Sequence, residues 1–326
     1  MTHLVLDKMY VRTVDGMLFN ITGYEHPTDS YYASLKYVNG QKWTDGYRAA
    51  MEWLSRHHPE YINNYVAVPR RQICEVFDPR ERWLELTSRV EQQEAGQLHR
   101  EAIQLGNKLA DHLRLPVNPD DRTAGLGITD SLLWGDGHAA SDIDLVVIGR
   151  ENITRLLQGM QNVYSTDGFE RPDPNQMQAP YGHVVPEWPS ILDRKFHMGS
   201  YRGRLFSVRG MLSQAEAAAR LNAYAAQTVI HTEPKTVTFE IADCSDSLLF
   251  PAIYRNSAGD ELVDYSVVYE GVFRPGDVVR CAALAERFTT TSDPKTRIRH
   301  IIDGPVHQLR RANANVARCI DDTVPD

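Results

Sequence analysis

Asp142 and Asp144 stand two positions apart in Ser141-Asp-Ile-Asp-Leu-Val-Val-Ile148, an apolar run of strand character. Residues i and i+2 of a strand point to one face, so the two carboxylates lie side by side and Ile143 turns the other way. Adjacent like charges are costly until a cation neutralises them, which makes the pair a candidate seat for a divalent metal. Just upstream, Gly127-Ile-Thr-Asp-Ser-Leu-Leu-Trp-Gly135 reads as a short strand, a small-residue turn and a brief amphipathic helix. A hydroxyl and backbone N–H groups at such a turn can donate to phosphate oxygens. Carboxylate-held metal beside a phosphate cradle is the equipment of phosphoryl or nucleotidyl transfer. The bland alternative for a bare Asp-x-Asp is a solvated strand end. The turn in front of it is what gives this pair its chemistry.

The elements around the pair follow from pattern. Two hairpins open the chain: MYVRTV–Asp15-Gly16–MLFNITGY and YYASLKYV–Asn39-Gly40–QKW. The spacing predicts a helix over about 46–57, stopped by Pro59, then a short strand at Tyr65–Val68. Asp78 is a good N-cap and Pro79 a good first helical residue for a long helical region broken near Gly96 and ended by Pro116. Residues 118–126 form a loop. The Gly127 unit and the Asp142 strand come next, followed by an amphipathic helix at 151–163. Residues 166–190 hold five prolines and suit a lid or substrate loop. RLFSVRGML (204–212) reads as a strand and 213–227 as a helix. From Thr228 the pattern is all-β, with five strands expected in TVTFEIADC, LLFPAIYR, ELVDYSVVYEGVF, VVRCAALAERFTT and RIRHIID. That count suits a small barrel or sandwich, the OB fold among them. A polar tail begins near 307.

Composition sets outer limits. Hydrophobic residues make up 42% and charged residues 24% of 326, the balance of an ordinary globular chain with room for two or three domains. A net charge of −8 argues against a constitutive high-affinity nucleic-acid binder. Four separated cysteines, with no Cys-x-x-Cys, indicate neither zinc site nor disulfide framework and fit a reducing cytoplasm. No signal-peptide core and no membrane-length apolar run is present, so no membrane partner is expected.

The segment 127–148 resembles the signature of the polymerase-β-like nucleotidyltransferase superfamily: apolar, Gly-Gly/Ser, about ten residues, then Asp-apolar-Asp/Glu-apolar. More widely the chain resembles predicted nucleotidyltransferase-domain proteins found chiefly in archaea. Gly23-Tyr-Glu-His-Pro27, Val68-Pro-Arg70 with Asp78-Pro-Arg-Glu81, and Asp246-Ser-Leu-Leu-Phe-Pro-Ala-Ile-Tyr254 carry that wider likeness. It implies an α+β fold with a polymerase-β-like nucleotidyltransferase core, a mixed sheet with helices. A β-rich N-terminal module (1–80) precedes the core (81–227), and a C-terminal all-β domain (228–306) and a tail (307–326) follow. The implied reaction moves a nucleoside monophosphate from an NTP to a hydroxyl of RNA, a protein or a small molecule. Asp142 and Asp144 would be catalytic and would hold Mg²⁺ or Mn²⁺. Ser131 would bind phosphate with Thr129 and Asp130 beside it, and Gly135 and Ser141 would support the turn.

The chain departs from that pattern at two places. Asp130 stands where Gly is usual, and the strand expected to bring a third carboxylate carries Ser207 and Arg209 instead. Asp193 and Glu187 are the nearby acids. These departures favour an alternative: a catalytically weakened member of the fold acting as a nucleic-acid-binding or regulatory factor. An antitoxin-type role ranks behind both. Arg194 and Lys195 are candidate nucleotide-binding residues within a basic run that includes Arg202, Arg204 and Arg209; solvated strand-end charges are the bland reading. Arg70, Arg71, Arg80 and Arg82 suit surface and helix-start positions. His26, His57, His58, His183 and His197 lack ligand spacing. Tyr24, Tyr31, Tyr32, Tyr37 and Trp43 suit hairpin cross-strand pairs better than a base-stacking platform.

Overall fold

A computed structural model describes residues 4–116, 125–135, 137–166, 168–173, 188–224, 230–231, 234–289 and 295–310. Residues 118–124 of the expected loop, most of the proline-rich excursion and the tail beyond 310 lie outside these residues; the loop's expected last residue, Leu126, instead begins a strand. The described residues form seven helices and three sheets, an α+β architecture. The chain divides into two compact units: Met1–Pro172 with Phe196–Leu221, and Asp173–Lys195 with Asn222–Asp326. No helix among the described residues is long and apolar enough to cross a membrane.

The first unit begins with a seven-stranded sheet: β1 (Tyr10–Thr13), β2 (Met17–Ile21), β3 (Ser30–Val38), β4 (Gln41–Lys42), β5 (Ile62–Asn63), β6 (Tyr65–Pro69) and β7 (Ile73–Phe77), with helix α1 (Gly46–His57) between β4 and β5. Its order is β5-β6-β3-β2-β1-β7, with β4 on β3. Both expected hairpins are present. Asn39 and Gly40 sit at φ +49° and +79°, the pair of positive angles that a two-residue turn of type I′ requires. Val11, Phe19, Leu35 and Leu54 of α1 share one buried core.

Helices α2 (Pro79–Glu91) and α3 (Gln97–Leu113) follow. Asp78 caps α2, its carboxylate accepting from the Arg80 N–H at 2.8 Å. The second sheet has β8 (Leu126–Ile128), β9 (Ile143–Ile148), β10 (Phe169–Glu170), β11 (Met198–Tyr201) and β12 (Arg204–Met211), in the order β10-β11-β12-β9-β8. Helix α4 (Ser131–Trp134) separates β8 from β9, α5 (Arg150–Val163) follows β9, and α7 (Gln214–Tyr224) follows β12; α6 (Trp188–Leu192) falls in the second unit. β9 runs parallel to β12 and antiparallel to β8. The two sheets of this unit are knit together: Tyr10, Leu18 and Tyr37 bury against Leu133, and the Trp134 ring lies edge-on to Tyr37 at 4.3 Å. Gly127 lets α2 lie close on β8, because a side chain there would strike Pro79 and Val146.

The second unit holds β13 (Ile230–His231), β14 (Lys235–Glu240), β15 (Asp243–Asp246), β16 (Ala252–Arg255), β17 (Glu261–Asp264), β18 (Val278–Phe288) and β19 (Arg297–Arg310). Among the described residues the order is open, β13-β18-β19-β17-β16-β15 with β14 on β18, so no OB-type barrel closes. Two expectations are corrected. The 261–273 segment is a strand only to Asp264, whose carboxylate accepts from the Ser266 and Tyr269 N–H groups and turns the chain. The last strand runs to Arg310, past the expected start of the tail, because β18 continues to pair with it. Trp188, Ile191 and Leu192 of α6 complete the core of this unit.

His26, between β2 and β3, accepts from the Tyr32 N–H at 3.2 Å. Burial, helped by the Arg70 guanidinium, lowers its pKa to about 4. The folded chain therefore resists a proton that the unfolded chain takes near pH 6.5. Stability from neutral His26 is complete above that pH and fades as pH falls toward 4. Urea unfolding of wild type should lose about 2 kcal/mol across this window relative to His26→Gln; equal pH slopes would refute the assignment.

Candidate active site

Asp144 is the second residue of β9, and Asp142 stands immediately before the strand rather than on it. Ile143 is buried, Asp142 is exposed and Asp144 is half-buried. The turn between β8 and α4 is bonded to the second acid, since the Thr129 N–H donates to the Asp144 carbonyl at 3.0 Å. The Thr129 side chain is buried and its hydroxyl donates to the Lys8 carbonyl at 3.0 Å. Ser131 is the first residue of α4, a single turn of four residues that carries little macrodipole. Gly135 closes α4 at φ +104°, a conformation that only glycine adopts readily, and is exposed.

Asp130 occupies the position where glycine is usual in the resembled pattern, and its backbone shows why: φ is +51° and ψ −137°. An L side chain there is strained by about 1–3 kcal/mol. Its carboxylate makes no helix-capping bond. Instead it accepts a short hydrogen bond from the Tyr10 hydroxyl of β1. Burial would raise the Asp130 pKa, but Lys36, Arg209, the Tyr10 hydroxyl and Lys8 together hold it below the usual carboxylate range. Asp130 is thus ionised and engaged by the N-terminal sheet, rather than left facing a phosphate.

Asp144 moves the other way. Burial, then the charges of Asp130 and Asp142, raise its pKa to about 7, against the opposing pull of Arg209 and the Ser207 hydroxyl. β12 pairs Ser207 with Asp144, and the Ser207 hydroxyl donates to that carboxylate. Arg209, two residues on, lies on the same face of the sheet. β12 thus sets a hydroxyl and a positive charge beside Asp144. Asp130 acts on Asp144 through its charge, but among the described residues no third His, Cys, Asp or Glu converges with Asp142 and Asp144 at metal-ligand distance; the one such triad whose donor atoms converge is Asp15, His58 and Glu60. Asp193 belongs to the second unit, and Glu187 lies outside the described residues. The donor set fits one hard dication, since Mg²⁺ commonly takes one or two carboxylates and completes its shell with water or phosphate. It does not supply ligands for a second ion.

A polar cleft of about 790 Å³ opens at Asp142. Ser141, Gln97, Gln104, Arg100 and Arg202 line it with Asp142. Ser141 is buried and fixes the preceding loop, its hydroxyl accepting from the His138 N–H at 3.1 Å. Arg204 pairs with Glu101 and donates to the Ser141 carbonyl at 2.7 Å. The expected basic run is dispersed. Arg194 and Lys195, expected to bind nucleotide, belong to the second unit: Arg194 pairs with buried Asp277, and the Lys195 ammonium donates to the Val267 carbonyl at 3.0 Å. Sequence adjacency suggested a site role, but both cations are spent on folding that unit. The hairpin aromatics are likewise engaged internally, with Tyr24 and Tyr37 buried and Arg70 stacked over Tyr31. Tyr10 and Lys36 were not foreseen at the site. Nothing in the sequence links Tyr10 to a residue 120 positions away.

Compared with protein-family models, curated proteins and solved structures, the chain matches none.

The Tyr10–Asp130 bond is testable by a double-mutant cycle. Tyr10→Phe should cost about 1–2 kcal/mol in wild type and close to nothing in Asp130→Gly, read by urea unfolding. Equal costs in the two backgrounds would show that the bond carries no stability.

Proposed function

We propose that the chain is a metal-dependent nucleotidyltransferase, moving a nucleoside monophosphate from an NTP to a hydroxyl acceptor with release of pyrophosphate. One arrangement carries the reading: Asp144 on β9 and Asp142 just before it are close enough for their charges to interact, the Thr129 N–H of the upstream turn donates to the Asp144 backbone carbonyl, and a polar cleft opens at Asp142. Asp142 and Asp144 would hold a single Mg²⁺ or Mn²⁺, which when bound neutralises phosphate charge at the reacting centre. Ser131 and the turn N–H groups would donate to the β- and γ-phosphates. The acceptor, an RNA end, a protein hydroxyl or a small molecule, would enter by the cleft. Its oxygen forms a bond to the α-phosphorus as the bond to pyrophosphate breaks. Pyrophosphate leaves with the electron pair, and Asp142, exposed on the cleft wall, would accept the hydroxyl proton. Asp130 does not oppose the triphosphate in this reading, because Tyr10 and the neighbouring cations engage its charge.

Ser207 and Arg209 favour a second reading, in which the site binds nucleotide and regulates a partner without turnover. Arg209 supplies positive charge where the resembled family brings a third metal carboxylate, and a fixed guanidinium cannot rearrange as a metal shell does. The two readings separate experimentally. Both expect NTPs to raise the melting temperature only with Mg²⁺ or Mn²⁺, and Asp142→Asn/Asp144→Asn to remove the effect. Only the transferase reading expects α-labelled NTP to label a component of cell extract. Loss of labelling with binding retained would support the regulatory reading; no metal-dependent NTP binding would overturn both.

The raised Asp144 pKa adds a pH signature. A metal must displace the Asp144 proton, so its binding strengthens as pH rises through about 7. Without metal, the native state prefers Asp144 protonated, so that contribution is present at low pH and is lost as pH climbs to about 7. Mg²⁺ should therefore stabilise the protein more at about pH 8 than at about pH 6. A pH-independent shift would contradict this role for Asp144.

A further inference from the structure

A second set of ligand-type side chains gathers in the first unit, using none of the residues above. Asp15 lies in the turn between β1 and β2, and His58 and Glu60 follow α1 at the 3₁₀ turn Pro59–Tyr61. One donor atom from each lies within 4.8 Å of the other two. We propose that Asp15, His58 and Glu60 form a binding site for a transition-metal dication of the Zn²⁺ class, independent of the β9 carboxylates.

Five observations support it. The donors are one imidazole nitrogen and two carboxylates, a mixed set that suits Zn²⁺ with water in a fourth position better than the all-oxygen shells of Mg²⁺ or Ca²⁺. His58 Nδ1 lies 3.7 Å from Glu60 Oε1, too far for a hydrogen bond. That separation is close to the roughly 3.5 Å between two ligands of a tetrahedral ion bound at about 2.1 Å. Asp15 is held in place beforehand: its Oδ2 accepts from the Tyr61 hydroxyl at 2.6 Å. Tyr61 itself is buried and stacked on Phe19, with ring centroids 5.5 Å apart. An outer hydrogen bond of this kind orients a ligating carboxylate before the ion arrives. The His58 ring is also fixed, tilted on Trp53 at 5.3 Å and edge-on to Tyr61 at 6.0 Å. Asp15 and Glu60 are exposed, which leaves an ion a path in from solvent. The competing arrangement is a protonated His58 paired with the two acids and no ion.

The test uses the full-length Asp142→Asn/Asp144→Asn chain, stripped with chelator, so that the β9 site is silent. Zinc chloride is titrated calorimetrically near neutral pH, and Co²⁺ is followed by its visible absorption. The expected result is one Zn²⁺ per chain and a tetrahedral-type Co²⁺ band. His58→Ala and, separately, Asp15→Asn should abolish both, and Tyr61→Phe should weaken Zn²⁺ binding about tenfold. Asp15 is in an exposed turn, so its variant keeps the test decisive if His58→Ala disturbs the packing on Trp53. Absence of saturable one-to-one binding, or binding unchanged in the Asp15 and His58 variants, would overturn the proposal.

Discussion

Three carboxylates interact at the start of β9: Asp144 on the strand, Asp142 just before it and Asp130 in the turn beside it. Their mutual repulsion, sharpened by burial, is the constraint around which the first unit is organised. The protein answers it from three directions. Tyr10 of β1 donates a hydroxyl to Asp130, Lys36 of β3 adds positive charge there, and β12 brings Ser207 and Arg209 alongside Asp144. What is left uncompensated is concentrated on Asp144, whose carboxyl is pushed toward its protonated form.

This explains why the N-terminal sheet and the β8–β12 sheet are one compact unit. Tyr10, Leu18 and Tyr37 bury against Leu133 of α4, and the same contact delivers the Tyr10 hydroxyl to Asp130. The hydrophobic contact positions the hydrogen bond. The hydrogen bond in turn allows an acidic residue to occupy a positive-φ position where glycine is the ordinary solution. Packing and charge compensation therefore depend on each other, and the accessible acid, Asp142, is left on the wall of a polar cleft.

Much of this was legible before any coordinates. The nearness of Asp142 to Asp144 was legible in their spacing, although Asp142 stands just before β9 rather than on it. Asn39-Gly40, Asp78-Pro79 and Gly96 marked a turn, a cap and a helix break, because each acts through local backbone geometry. What stayed hidden depends on long-range contact. The partnership of Tyr10 with Asp130, the convergence of His58 with Asp15, and the use of Arg194 and Lys195 within the second unit leave no local signature. The end of β17 at Asp264 was missed because Tyr-Ser-Val-Val-Tyr continues the apolar pattern, and only the carboxylate's turn-forming bonds stop the strand. Ser207 and Arg209 were visible as a missing acid, but their register beside Asp144 was not.

The central claim is that Asp142 and Asp144 together hold one divalent cation. Its most direct measurement is Mn²⁺ titration followed by electron paramagnetic resonance, in a His58→Ala chain so that the other cluster is silent. The account predicts one Mn²⁺ per chain, bound more tightly when NTP is present and lost in Asp144→Asn. No bound Mn²⁺, or binding indifferent to both Asp142→Asn and Asp144→Asn, would contradict it.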